Sequence, residues 1–450
     1  MNSNRRVLLF VTCSTGLLLL FSIAGSFAGF NWMPFRRVNL ISDIVVLPGD
    51  STAGQDSAGG LNAPVAIHEK PHVNFSLYTT GRLITDFNAD TTQPSLESFA
   101  KKLYELKTGK KRKVRIAYFG DSMIEGDLLT QTLRKLLQDL FGGKGVGFVP
   151  VTSQVAKFRQ TATADYSATW EEENFKEGKA NRLFLSGHLF HTSDGWVQIR
   201  DQTLPADSIV LEKSLFCGAA PSPVTVTVND QPFAVKADQL FNRIVVARDQ
   251  STTVKLAVTD EQLPVYGISF ESESGVFVDN FSFRGITGVE FARVDSVFLH
   301  SIAVNNPYDL IVFQYGVNLL FRPNDKNFSW YARTILPVMQ KIRHCFPESE
   351  FLVVSTADRA FRYGGEYRSA VGIDSLVKVQ ALLAYETGSV FYNQFAAMGG
   401  TNSIVDWANQ KPSLANRDYV HPNHRGAEVL GRYFFEALLN DYKKYVRSIK

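Results

Sequence analysis

Residues 114–122 read Val-Arg-Ile-Ala-Tyr-Phe-Gly-Asp-Ser. Val114–Phe119 is a strand-like run, Gly120–Ser122 a turn, and Leu128–Leu140 a helix with Leu129, Leu133, Leu136, Leu137 and Leu140 on its apolar face. Gly142-Gly143 ends that helix. This order puts the Ser122 hydroxyl at the carboxyl end of a strand, where open α/β sheets gather their ligands. A helix opening just after it would also bring backbone N–H groups to the same point.

Working outward, the strand–helix rhythm stops at about Val151 and resumes after Asp279. Between them, short β-like runs recur: Trp196–Arg200, Ser208–Phe216, Val224–Val228, Arg243–Ala247, Val254–Val258 and Val265–Glu271. Turn residues such as Asn229-Asp230 separate them, as in an antiparallel sandwich. Beyond lie the strand Leu310–Phe313, the helix Ser329–His344 containing Pro337, the strand Phe351–Ser355, the helix Ser375–Glu386, the strand Val390–Tyr392 and the closing helix Gly426–Val446. Before the first strand, Ser95–Leu106 reads as a helix capped by Ser95, with Leu96, Phe99, Leu103 and Leu106 on one face. The expected fold is therefore α/β: a parallel sheet with helices on both faces, built from residues 95–150 and 280–450, with an antiparallel β-sandwich inserted at 151–279.

The chain has 450 residues, 45% of them hydrophobic, and a formal charge of only +3. That charge gives no electrostatic case for nucleic acid. Arg5 and Arg6 precede an uncharged apolar stretch, Val7–Phe35, longer than the roughly 20 residues that span a bilayer. Residues 1–35 thus read as a signal anchor or a signal peptide, which places the remainder outside the cytoplasm, in the periplasm or cell envelope. Residues 36–94, Gly- and Ser-rich around Pro48–Ala63, read as a flexible tether. Cys13, Cys217 and Cys345 form no metal-type cluster; Cys217 and Cys345 read as separate buried thiols, or as a pair in an oxidising compartment.

A serine hydroxyl is a poor nucleophile at neutral pH unless a base takes its proton. Asp418-Tyr419-Val420-His421 supplies one: His421 can accept the Ser122 proton, and Asp418 can hold the imidazole and stabilise imidazolium. Two more blocks follow strands. Gly316-Val317-Asn318 comes after Leu310–Phe313, and Gly285-Ile286-Thr287-Gly288 after Val276–Phe283. The Asn318 amide and the N–H groups of Ser122 and Gly288 can surround a tetrahedral oxyanion. His424, three residues past His421, has no acidic or cysteine cluster beside it and reads as a surface residue, as do His188 and His191. No metal site and no cofactor are expected. Trp170, Trp196 and Tyr166 are core or sugar-stacking aromatics of the sandwich. Arg322, Arg359 and Arg362 follow strand ends, as surface charge or to meet an anionic substrate.

Ser122, Gly288, Asn318 and His421, in that order, resemble the four blocks of the SGNH (GDSL-type) hydrolases across residues 112–150 and 280–445. The resemblance implies a flavodoxin-like sheet and acyl-ester hydrolysis or transfer without a cofactor. Within that superfamily, Gly120–Asp127, Gly142–Pro150 and Ala397–Gly400, with Trp407 downstream, are similar to bacterial peptidoglycan O-acetylesterases. The resemblance extends to a carbohydrate-binding-like β-sandwich after the first block, and makes Met398, Gly399 and Gly400 substrate-binding residues. Met123, where a polar residue is expected, and the second glycine Gly285 depart from the pattern.

The leading expectation is a cell-envelope serine esterase that removes O-acetyl groups from a glycan, peptidoglycan in particular, through an acetyl-enzyme on Ser122. The same groups serve a glycan O-acetyltransferase, and a non-catalytic glycan-binding protein is the alternative from another class.

Overall fold

The computed structural model describes residues 73–153, 158–206 and 208–449. The expected anchor at 1–35, and the tether up to residue 72, lie outside the described residues. No helix among the described residues is long and apolar enough to cross a membrane.

Val114–Phe119 becomes the core of a strand, Lys113–Gly120. Strand side chains alternate between faces. Accordingly Val114, Ile116 and Tyr118 enter one apolar core, and Ala117 and Phe119 enter another. The strand lies in a six-stranded sheet ordered Ile84–Thr85, Val390–Tyr392, Glu350–Val354, Leu310–Gln314, Lys113–Gly120, Gly275–Ser282. The last five are mutually parallel, and Ile84–Thr85 is antiparallel to Val390–Tyr392. Helices Glu97–Lys107, Thr130–Phe141 and His424–Ser448 pack into the first core, and Ser296–Asn305, Ser329–Cys345 and Ile373–Glu386 into the second.

Between Gly147 and Glu271 the chain forms two antiparallel sheets, of five and six strands. In the six-stranded one, Leu215 and Cys217 face the five-stranded sheet's core while Phe216 faces the core beside the parallel sheet. Val265–Glu271 divides in the same way, so all seven of its residues are buried. Glu271, fully buried, accepts from Arg115 and Arg243 and so ties the parallel sheet to the antiparallel one. Burial opposes its charge, but the two guanidinium groups hold its carboxyl well below the usual range.

Several expectations change. Gly147–Pro150, read as part of the α/β region, pairs with Val265–Glu271, and the parallel strand Gly275–Ser282 starts before the expected boundary at 279. The tether reading does not hold from Val73 onward. Ile84, Thr85 and Phe87 are buried, and Asn393 Nδ2 donates to the Tyr78 carbonyl. Ser95 caps no helix. Asp441 accepts from the N–H groups of Ser95 and Leu96 just before the helix Glu97–Lys107, and Glu350 from those of Ser98 and Phe99 in its first turn, so two distant carboxylates hold its start. On Thr130–Phe141, Leu140 is exposed while Arg134 and Gln138 are buried. Asn229 and Asp230, both at positive φ, make a two-residue hairpin turn, and the paired strand Gln231–Val235 is one the sequence reading missed.

Candidate active site

Gly120 ends the strand because nothing larger fits. A Cβ there would come within 2.8 Å of the Ile124 side chain and 3.1 Å of the Gln314 carbonyl. The chain then turns, but not into an α-helix. A short 3-10 stretch, Glu125–Asp127, intervenes, and the helix begins only at Thr130. Gly126 and Asp127 both have positive φ. The cause is Asp127, whose buried carboxylate accepts from Arg134, Thr130 and Thr161. Burial opposes its ionisation, but Arg134 and Arg159 hold its pKa down to about 2. The helix N-terminus expected beside Ser122 is therefore displaced from it.

Ser122 is buried, and its Oγ lies 2.9 Å from His421 Nε2. His421 Nδ1 lies 2.7 Å from Asp418 Oδ2. The other oxygen, Asp418 Oδ1, accepts from the backbone N–H groups of Val420 and His421, at 3.0 and 3.1 Å. Burial opposes the Asp418 charge, but the hydrogen bonds from the His421 ring and these two N–H groups hold its carboxyl below the ordinary value. Tyr419, with φ of 55°, turns the loop between the two residues. Its ring stacks on Tyr367 with centroids 4.0 Å apart, and its carbonyl accepts from Ala360 N–H. Asn423 then caps the helix His424–Ser448.

Asn318 and Gly288, expected as oxyanion donors, come from two other loops, and neither lines the cavity that opens at the triad. Asn318 Nδ2 donates to the Ile286 carbonyl at 2.9 Å and to Asp121 Oδ2 at 3.2 Å. These two bonds join the Gly316–Asn318 turn to the nucleophile loop and to the segment leading to Gly288. Gly288 has φ of 91°, and a Cβ would meet the Phe313 and Tyr315 rings at 2.9 Å, so glycine is required. Asp121, given no role of its own in the sequence reading, accepts from Asn318. Burial pushes its pKa up to about 7 and Glu125 adds to this, while N–H groups of Met123 and Gly316 work against it. Its sequence signal was a carboxylate at the end of an apolar strand.

A cavity of about 360 Å³ opens at the triad, lined by Ser122, Met123, Phe158, Arg284 and His421 among others. His424 is exposed, as expected, and lines the same cavity. Arg284, unremarked in the sequence, lines it and forms an ion pair with Glu125. Met398, Gly399 and Gly400 do not line it. Met398 is in the core, and the two glycines close the helix Gln394–Met398, where Gly400 N–H donates to the Phe395 carbonyl. Arg322, Arg359 and Arg362 do not line the cavity either, although Arg359, which donates to the Val317 carbonyl at 2.9 Å, is close enough to Asp418 to feel its charge. Tyr166, Trp170 and Trp196 lie in and beside the five-stranded sheet, away from this cavity, and Trp170 Nε1 donates to the Trp196 carbonyl. His188 pairs with Glu172, and His191 Nδ1 lies 3.0 Å from the Glu261 carbonyl. Cys217 and Cys345 are buried free thiols, and burial pushes the Cys217 thiol up to about 12.

No protein-family model and no curated protein matches the chain. Among solved structures it is similar to a peptidoglycan O-acetylesterase captured in action at 5 min, with TM-score 0.67 and 22% identity over 79% of this chain and 98% of that one. A family two carbohydrate esterase from Cellvibrio japonicus aligns over 63% of this chain and 99% of its own, at 9% identity and TM-score 0.26, too low to carry weight. The chain thus shares its fold with a peptidoglycan O-acetylesterase.

Proposed function

We propose that the protein is a serine esterase that removes O-acetyl groups from a cell-envelope glycan, with peptidoglycan as the substrate. The observation that carries this is the continuous relay Ser122 Oγ, His421 Nε2, His421 Nδ1, Asp418 Oδ2, with links of 2.9 and 2.7 Å. Its fold, shared with a peptidoglycan O-acetylesterase, supports the choice of substrate. The envelope location rests on the apolar N-terminal segment.

His421 Nε2 takes the Ser122 proton as Oγ bonds to the acetyl carbonyl carbon. Asp418 stabilises the imidazolium that forms. The tetrahedral oxyanion is met by the N–H groups of Ser122 and Gly288 and by Asn318, which exchanges its longer, 3.2 Å bond to Asp121 for the substrate oxygen. Collapse breaks the bond to the sugar oxygen, which leaves with the proton from His421. Water then gives a proton to His421 and attacks the acetyl-enzyme, and release of acetate restores Ser122.

The parallel order of five strands, covered on both faces, supports a flavodoxin-like reading of the sheet. The apolar core shared by the two antiparallel sheets supports reading them as an inserted sandwich.

The test is acetate released from O-acetylated peptidoglycan by the full chain and by Ser122→Ala. Release that requires Ser122 is expected. Undiminished release from Ser122→Ala would overturn the mechanism, and acetate conserved by transfer to another sugar would select an acetyltransferase.

A further inference from the structure

A second cavity, of about 200 Å³, adjoins the catalytic one and takes no part in the chemistry above. Glu125, Gly126 and Arg284 line both, so the two spaces meet along the segment that follows the nucleophile. One wall comes from the end of the parallel strand, with Asn280, Ser282 and Phe283. The opposite wall comes from the antiparallel sheets, with Ala164 and His188.

The charges around this space are largely matched within the protein. Glu125 pairs with Arg284, Glu172 with His188, and Asp127 with Arg134 and Arg159. Lys176, whose ammonium lies 5.8 Å from the centre of the Phe283 ring, and Glu177 also line it, beside neutral polar groups and apolar surface from Val149, Pro150 and Phe283. Ser186 decides the matter. It is only 4% exposed, it lines the cavity, and among the described residues its hydroxyl has no hydrogen-bond partner. A buried hydroxyl left unsatisfied is costly, and such groups in native proteins are commonly met by a bound molecule or water. A pyranose offers what this wall lacks: hydroxyl or acetamido groups on a ring with apolar faces.

We infer that this second cavity is a sugar subsite, which holds the neutral unit of the glycan next to the acetylated one and hydrogen-bonds it through Ser186. The inference rests on the esterase reading and narrows it: the substrate is a glycan chain rather than an acetylated monosaccharide. It also gives the antiparallel sheets a direct part in binding, through the cavity wall rather than through Trp170, Trp196 or Tyr166.

The experiment is calorimetric titration of the full chain carrying Ser122→Ala, which binds without turnover. The probes are an unacetylated peptidoglycan tetrasaccharide and N-acetylglucosamine alone. The tetrasaccharide should bind at least tenfold more tightly. Ala164→Trp, which fills the cavity, and Ser186→Ala, which removes only the hydroxyl, should each cancel most of that gain when added to Ser122→Ala. Because Ser186→Ala adds no bulk, it stays informative if the tryptophan variant misfolds. Tetrasaccharide binding no tighter than the monosaccharide's, or unchanged in Ser186→Ala, would overturn the subsite. Acetate release by the unmodified chain separates the two ideas: release with no chain-length gain removes the subsite alone, and no release with no binding removes both.

Discussion

Ser122 Oγ and His421 Nε2 lie 2.9 Å apart, although 299 residues separate them in the chain. The parallel sheet creates this proximity. The strand Lys113–Gly120 delivers the serine at its carboxyl end, and the loop before the last helix brings the histidine to the same edge. Asp418 is bound to both the ring and the backbone of His421, so the loop fixes the imidazole before substrate arrives. Replacing Asp418 by Asn should therefore lower kcat for a small activated acetyl ester at least tenfold with little change in KM, because the amide no longer stabilises imidazolium. Steady-state kinetics at pH 8 would check this, and an unchanged kcat would remove Asp418 from the relay.

Asn318→Ala should lower kcat by about 10²- to 10³-fold, the usual effect of removing one oxyanion donor. KM for the same ester should stay within a few-fold. A loss confined to KM would mean that Asn318 only holds the Ile286 and Asp121 loops together.

Asp121 and Asp127, six residues apart, should respond to pH in opposite senses. Asp121 has a pKa raised from the ordinary 3.8 to about 7, so the folded state binds its proton more tightly than the unfolded chain does. Stability is then lost as pH rises through that window. Asp121→Asn should become progressively more stabilising than wild type between pH 4 and 7, reaching at most about 4 kcal/mol. Asp127 is held down to about 2, so its contribution is complete above the ordinary value and disappears as pH falls toward 2. Arg134→Met, which strands that buried carboxylate, should cost about 3–5 kcal/mol at pH 7. Urea titrations across pH would detect both effects, and parallel pH dependences would contradict the assignment.

Tyr367→Ala should lower kcat a few-fold while leaving the melting temperature nearly unchanged. Tyr367 is 42% exposed, and its principal contact is the stack on Tyr419. Tyr419 turns the chain between Asp418 and His421, so loosening it disorders the relay rather than the core. A drop in melting temperature with unchanged kcat would show the stack to be structural only.

Much of this site is legible in the sequence because its parts are local. Gly120-Asp121-Ser122 after an apolar run, and Asp418 three residues before His421, each need only one strand end or one loop to be read. The parallel strands are legible for the same reason, as continuous apolar runs that a sheet covered on both faces requires. What the sequence hides is what the fold assembles. The N–H groups capped by Asp441 belong to Ser95 and Leu96, more than three hundred residues away, and no spacing reveals that partnership. Ser186 becomes notable only when burial leaves its hydroxyl alone, and Arg284 only when it meets Glu125 at the cavity edge. Met398–Gly400, singled out only by resemblance, ends the helix Gln394–Met398 and lies outside the cavity lining.

In the proposed mechanism Ser122 carries the acetyl group between the two half-reactions. Mixing the protein with an activated acetyl ester, quenching in acid within the first turnover, and mapping the adduct by peptide mass spectrometry tests it most directly. Acetyl is expected on the peptide containing Ser122, formed in a burst and absent from His421→Ala. Ester turnover at the wild-type rate by Ser122→Ala, or an adduct mapped to another residue, would contradict it.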